Sequence, residues 1–331
     1  MALNDRIFYA CQAVVIQAPT GTSVSSANVV RGLQSVGMSS NFTLDQVFEI
    51  GQLEIYENIE DIADVEVTLE KVIDGEKLMF NLASNGACET DLVAAAKARC
   101  DVYVAIYDDA VSNATGLATN VCWNSGMYTS SVSYSYSVDG NATESVTLVG
   151  NDKFWNSDVN QTATDAESQY GSLATGFDGT DTPISGVQRR VDVDLSASTL
   201  PPIVELQAGS LAGDNNLHIQ SISVSADFGQ ENILELGRFG PYAKFTSFPI
   251  EVTSEFEVIA TSGDLKSVSG AGENLTSDPI TIKDSAGTVL NLGTKNKLSS
   301  ISYSGGDTGG GNATISYSFT NFNSLLVLGG G

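Results

Sequence analysis

Histidine is almost missing from this sequence: His218 is the only one in 331 residues. A lone histidine removes most routes to His-dependent proton transfer and to histidine metal sites, and it reads as a surface or structurally satisfied residue. Basic residues are scarce as well. Lys and Arg number 15 against 40 Asp and Glu, a formal net charge of −25. Such a surface repels phosphate backbones, and no basic cluster interrupts it, which argues against a conventional nucleic-acid binder. No stretch approaches the roughly 20 consecutive apolar residues of a membrane helix, so no membrane partner is expected. Cys11, Cys88, Cys100 and Cys122 all lie in the first half, in no zinc-like spacing. They read as buried free thiols.

Other chemical signatures are thin. The start, MALNDRIFYACQAVVIQ, sets an acidic residue beside its arginine and does not read as a secretory signal. The sequons at Asn41, Asn113, Asn141, Asn160, Asn274 and Asn312 then follow from a composition rich in Asn, Ser and Thr. Glycine-rich stretches lack the Lys-Ser/Thr and the strand-to-helix setting of a phosphate loop. DGTD (178–181) offers two carboxylates but not the length or closing Glu of a calcium loop, and reads as a polar turn. No cofactor, no metal and no catalytic residue is expected.

What the chain does contain is a repeated sentence. LQSVGMSSNFTLDQVFEIGQ (33–52) and IQSISVSADFGQENILELGR (219–238) align without a gap at an offset of 186 residues, with 6 identities in 20 positions. Other positions keep apolar against apolar, as Val36/Ile222, Met38/Val224, Val47/Ile233, Phe48/Leu234 and Ile50/Leu236, while Asn41/Asp227 and Asp45/Glu231 stay polar. Downstream, VEVT (65–68) faces IEVT (250–253), VSYSYS (132–137) faces ISYSFT (315–320), and SVTLVG (145–150) faces SLLVLG (324–329). The anchors keep their order, so an internal duplication is expected. It divides the chain into a β domain at 1–150, a polar linker or surface insertion at 151–186, and a second β domain at 187–331, opened by VQRRVDVDL. On this alignment Gly51 falls on Gly237 and Val67 on Val252.

The composition is that of a β protein: 42% hydrophobic, rich in Gly, and with short runs of Ser, Thr, Val and aromatics. Strands are predicted at 7–17, 33–40, 47–56, 65–75 and 100–109. The clearest is VEVTLEKVIDG, where Val65, Val67 and Leu69 alternate with Glu66, Thr68 and Glu70. ETDLVAAAKARC (89–100) is the one clear helix, with Thr90 or Asp91 as cap. In the second half, 262–284 reaches its strand through a more Gly-rich, less helical connection. The expected fold is mainly β: two similar β-sandwich or half-barrel domains with a flanking helix.

The run EIYENIEDIADVEVTLEKVIDGE (54–76) holds nine acids and one base, Lys71. Paired carboxylates serve glycosidases. Acids that alternate with apolar residues along a strand are written as a solvated face instead, so no enzyme is expected.

SISVSADFGQENILELGRFGPYAKFTSFPIEVTSEFEVIATSGD (221–264), with ITIKDSAG (280–287) after it, resembles the tail tube proteins of long-tailed bacteriophages. EIGQLEIYENIEDIADVEVTLEKVIDG (49–75) is a more divergent version, without the Gly240-Pro241 pair. The resemblance implies a virion structural protein, assembled in the host cytoplasm, whose subunits join sheets around an axis and stack as rings. Double-stranded DNA would pass through the channel without specific binding. Tail terminator, tape measure and baseplate proteins are the implied partners beside the chain itself. Two tube domains per chain would give a homotrimer with pseudo-sixfold symmetry. An acidic wall would let the polymer slide, and the implied lining acids are Glu66 and Glu70 in the first copy and Glu251 and Glu255 in the second. A baseplate or tail-hub component, or a β-rich receptor-binding or adhesion protein, are the alternative expectations.

Overall fold

In the computed structural model the described residues are 5–19, 28–108, 118–156, 183–201, 218–261, 268, 275–306, 308 and 311–329. DGTD and most of 151–186 lie outside them, as do Asn113, Asn160, Asn274 and much of the 262–274 connection.

The chain opens with β1 (Gln12–Gln17), preceded by a 3-10 turn at Tyr9–Cys11 that shortens the predicted strand. Next come β2 (Leu33–Asn41), β3 (Leu44–Phe48), β4 (Ile55–Glu60) and β5 (Asp64–Val72). The single strand predicted at 47–56 is a hairpin instead. Residues 49–54 turn the chain, with Gly51 at φ +110°. In the second half the equivalent turn carries Gly237 at φ +86°. Nothing crowds a Cβ at either position, so it is the left-handed backbone that favours glycine.

Two short helices follow, α1 (Met79–Ala83) and α2 (Leu92–Lys97), then β6 (Arg99–Ile106). The predicted helix at 89–100 is therefore only its middle. Asp91 caps α2 by accepting from the Val93 N–H at 3.0 Å, and Ala98 is already extended, which hands the chain to β6. β7 (Asn120–Ser137), β8 (Thr143–Gly150) and β9 (Asp152–Asn156) complete the half. β9 pairs with β7, so the supposed linker begins as a strand.

The second half adds β10 (Ile219–Asp227), β11 (Gln230–Ile233), β12 (Ala243–Thr246) and β13 (Glu251–Ile259). It ends with β14 (Thr281–Lys283), β15 (Val289–Asn291), β16 (Lys297–Ser304), β17 (Thr314–Phe322) and β18 (Leu326–Leu328). The architecture is mainly β, as composition and alternation predicted.

The two halves are joined within one antiparallel sheet, ordered β16-β17-β13-β10-β7-β8-β5-β2. Each half contributes four strands in the same spatial order of first, second, fourth, third: β2-β5-β8-β7 and β10-β13-β17-β16. Each also carries a hairpin between its first and second strands, β3–β4 and β11–β12. β10 meets β7 in the middle, pairing Ser221–Asp227 with Ser137–Ser131.

Strand register corrects the sequence alignment. Asn41 pairs with Asp64 and Asp227 with Glu251, so Val252 is the counterpart of Val65, not of Val67. TSSVSYS (129–135) matches LSSISYS (298–304): both strands slip past one serine, Ser130 or Ser299, at the same point of their pairing. ISYSFT (315–320) is instead the counterpart of β8. SLLVLG (324–329) contributes β18 to a small sheet with β14 and β15. Low-complexity Ser-aromatic alternation fits either strand equally well, which is why sequence alone chose the wrong one.

One side of the sheet is the core. Val65, Val67, Leu69, Val146 and Leu148 of the first half and Val252, Phe256, Val258, Tyr317 and Phe319 of the second are buried in a single cluster. The helices cover the first half of this side, with Phe80 against Phe228 at 5.6 Å, and Ile282, Leu290 and Val327 of the small sheet join the same cluster. VQRRVDVDL does not simply open a second domain. Gln188 donates its N–H to the Ile73 carbonyl and accepts from the Ala142 N–H, both in the first half, before Asp194 bonds to Lys283 in the second.

Candidate functional site: a polar sheet face with two acidic strands

Alternation along a strand puts every second side chain on the face away from the core. Across all eight strands those positions are mostly polar, with Val149 beside Glu66 and Phe322 beside Glu251 as apolar exceptions. From one edge they are Ser35 and Ser39 on β2, then Asp64, Glu66, Thr68 and Glu70 on β5. β8 supplies Thr143, Ser145 and Thr147, β7 supplies Ser131, Ser133 and Ser135, and β10 supplies Ser223, Ser225 and Asp227. β13 then brings Glu251, Thr253, Glu255 and Glu257, β17 brings Ser316, Ser318 and Thr320, and β16 brings Ser300 and Ser302.

The pairing registers align these side chains in rows that cross the whole sheet. One row runs Ser35, Glu70, Ser145, Ser133, Ser225, Thr253, Thr320 and Lys297. Carboxylates concentrate on β5 and β13, with hydroxyl-bearing strands between them. Three strands separate the two, so the acidic stripes stand about 19 Å apart at the usual strand spacing.

All four predicted acids, Glu66, Glu70, Glu251 and Glu255, are exposed and lie on this one face. Two further acids share their strands and face. With Asp64 opposite Glu251 and Glu70 opposite Glu257 in the two halves, Asp64 and Glu257 belong to the same stripes. A two-residue error in aligning the repeat hid both. Hydroxyls hold the second stripe in place: Ser316 donates to Glu255, and Ser221 donates to Glu257 at 3.3 Å.

A different set of acids is buried. Glu144 Oε2 accepts from the Met79 N–H at 2.6 Å, and its Oε1 accepts from the Phe80 N–H and the Tyr134 hydroxyl, both at 3.0 Å. Burial pushes its carboxyl up, while the nearby Lys71 ammonium works the other way. Lys71 is itself fully buried, 3.4 Å from Asp74, and donates to the Lys77 carbonyl. Lys71 and Glu144 are cross-strand partners whose counterparts in the second half are Val258 and Ile315. The first half thus holds charge where the second holds hydrocarbon. These buried groups stitch α1 to the sheet.

The two hairpins share another character. Ile50, Leu53, Leu234 and Leu236 stand exposed at their turns, with Ile50 and Leu236 fully so, beside exposed Phe48, Tyr56, Phe239 and Tyr242. β2 and β10 run parallel, so both hairpins leave the same end of the sheet.

Comparison with solved structures gives matches of low TM-score. A structure of the anti-feeding prophage cap (the AFP tube terminating cap) superposes with a TM-score of 0.34 and 14% identity, covering 48% of this chain and 95% of that one. A structure of the anti-feeding prophage baseplate, six-fold symmetrised, gives 0.32 and 10%, covering 46% and 97%. No family model matches the sequence, and no curated protein does.

Proposed function

We propose that the chain is a non-enzymatic structural subunit of a phage-tail tube, in which three copies close into a ring and the polar face lines the channel. The observation that carries this reading is the stagger of the sheet. Following the pairing from β2 across β5, β8 and β7 to β10 brings Gly37 level with Asp227, four residues beyond Ser223, its counterpart in the repeat. A shear of four residues over four strands is the ratio found in the eight-stranded barrel of shear eight, whose strands tilt by about 36°. A sheet with that stagger curls toward closure. Six such blocks, two per chain, would form a barrel about 45 Å across at the backbone, given the usual strand spacing. That is wide enough for a DNA duplex.

The face chemistry suits such a channel. A wall of serine and threonine hydroxyls striped with carboxylates, with Lys297 at its β16 edge, carries a net negative charge that repels phosphates, so the polymer slides rather than binds. The core side, covered by helices and the small sheet, is left to face outward. The exposed apolar hairpins, two per chain at one end, would form a crown of six, a surface for the next ring rather than for water.

The reading in which this chain is a baseplate or hub component rests on the same ring and differs only in what stacks on it. Microscopy of the purified protein together with its solution mass tests the proposal. Rings or tubes built from units of three chains support it. Rings of six whole chains would overturn the trimer, and a monomer at all concentrations would overturn the tube.

A further inference from the structure

The long sheet ends at β2 on one side and β16 on the other, and among the described residues no strand pairs with either outer edge. Edge strands normally defend themselves with charge, proline or a bulge that turns the edge away. Residues 37–42 (GMSSNF) and 300–304 (SISYS) carry neither charge nor proline. They are unguarded.

Both edges already have mated copies inside the chain. At the central seam, β7 residues Ser131–Ser135 pair with β10 residues Asp227–Ser223. SSVSYS of β7 recurs as SSISYS in β16, with the same slipped serine, and SVSADF of β10 occupies the place of GMSSNF in β2. The aromatic residues show what is unfinished. Tyr134 and Phe228 at the seam are 1% and 0% exposed, while their counterparts Tyr303 and Phe42 are 55% and 74% exposed.

We infer that β16 of one chain pairs antiparallel with β2 of a second copy in the register of the internal seam. Ser300 then faces Asn41, Ile301 faces Ser40, Ser302 faces Ser39, Tyr303 faces Met38 and Ser304 faces Gly37. The Phe42 N–H meets the Ser299 carbonyl as the Phe228 N–H meets the Ser130 carbonyl, at 2.8 Å inside the chain. Tyr303 and Phe42 leave water, and the serine face runs on unbroken into the next subunit. The contact joins two different surfaces, so it propagates head to tail and closes into a ring only if the rotation per chain allows it. The inference rests on the tube reading for closure, but the seam itself is defined by the edges alone.

Cysteine cross-linking reads the register directly. Facing residues on paired strands lie within disulfide reach, whereas four residues of slip separate them by about 13 Å. The native thiols do not interfere: all four are buried, and burial holds Cys88 up at about 12 and Cys122 at about 11. The full chain carrying Ser39→Cys with Ser302→Cys is oxidised and run without reductant, beside a control carrying Ser35→Cys with Ser302→Cys. A ladder of multimers from the first variant only is the expected result. A tube seen by microscopy with no ladder from the first variant would overturn the seam and leave the tube standing. A ladder without rings or tubes would keep the seam and remove the tube. Equal ladders from both variants would overturn the register, and a monomer that never cross-links would overturn both ideas.

Discussion

The Tyr136 hydroxyl donates to Asp284 Oδ2 at 3.1 Å, tying the last residues of β7 to the turn after β14 across 148 positions of sequence. The carboxylate also accepts from the Thr288 N–H at 2.9 Å. Both side chains are buried, so the bond spans the two halves of the chain inside the common core. Tyr136→Phe leaves the carboxylate one donor short and should lower stability by about 1–3 kcal/mol, the usual cost of an unsatisfied buried group. Denaturant unfolding measures it, and the unfolding should remain one transition if the halves share a core.

The same carboxylate sets a pH dependence. Burial raises the Asp284 pKa above its ordinary value, against the opposing pull of its hydrogen bonds, and burial raises that of Glu144 likewise. The folded chain then holds these protons more tightly than the unfolded chain does. Their contribution to stability is therefore full below the ordinary carboxyl range, about pH 4, and is lost as pH rises through the elevated folded values. Asp284→Asn should flatten the stability profile over that window, read as unfolding midpoints across a pH series. An unchanged slope would mean the carboxyl is not desolvated.

Lys71 is fully buried beside Asp74 and close to Glu144. Lys71→Met removes the cation and strands two acids in the core, and it should cost about 3–5 kcal/mol. The counterpart change in the second half, Val258→Ala, removes only hydrocarbon and should behave as an ordinary cavity substitution, without any added pH dependence.

The hairpin tips separate folding from assembly. Ile50 and Leu236 are fully exposed, so Ile50→Ser with Leu236→Ser should shift stability by no more than about 0.5 kcal/mol. The same pair should sharply reduce ring stacking, seen as shorter tubes or free rings in sedimentation. Tubes of normal length would show that the tips face water in the assembly.

The acids proposed to line the channel give a further prediction. Lysine at Glu66, Glu70, Glu251 and Glu255 should leave the fold intact, because exposed strand sites tolerate polar exchange. It should slow DNA ejection and raise its sensitivity to salt, as cations begin to hold phosphates. An ejection rate and salt dependence equal to those of the parent would make these acids a solvated outer face.

Much of this was legible in the sequence where alternation was strong. VEVTLEKV and IEVTSEFEVI showed their two faces plainly, and the exposed acids follow from that period alone. Gly51 and Gly237 marked equivalent turns because only the left-handed backbone needed them. Other features were beyond reach. The hairpin at 44–60 reads as one strand at 47–56 because both arms are exposed, so no inward and outward period separates them. Asp64 and Glu257 were missed because the VEVT and IEVT match is out of register by two, and a slip of two preserves every face. The central β7–β10 seam could not be foreseen, since edge pairing is written in backbone groups that every residue carries.

The central claim is that the polar face lines a channel closed by three chains. A cryo-EM reconstruction of the assembled protein tests it most directly. The account predicts six sheet blocks from three chains around one axis, with the carboxylates of Glu66, Glu70, Glu251 and Glu255 nearer that axis than Leu69 and Phe256 of the same strands. A ring with those leucine and phenylalanine side chains on the axial side, or with the acids at the outer rim, would contradict it.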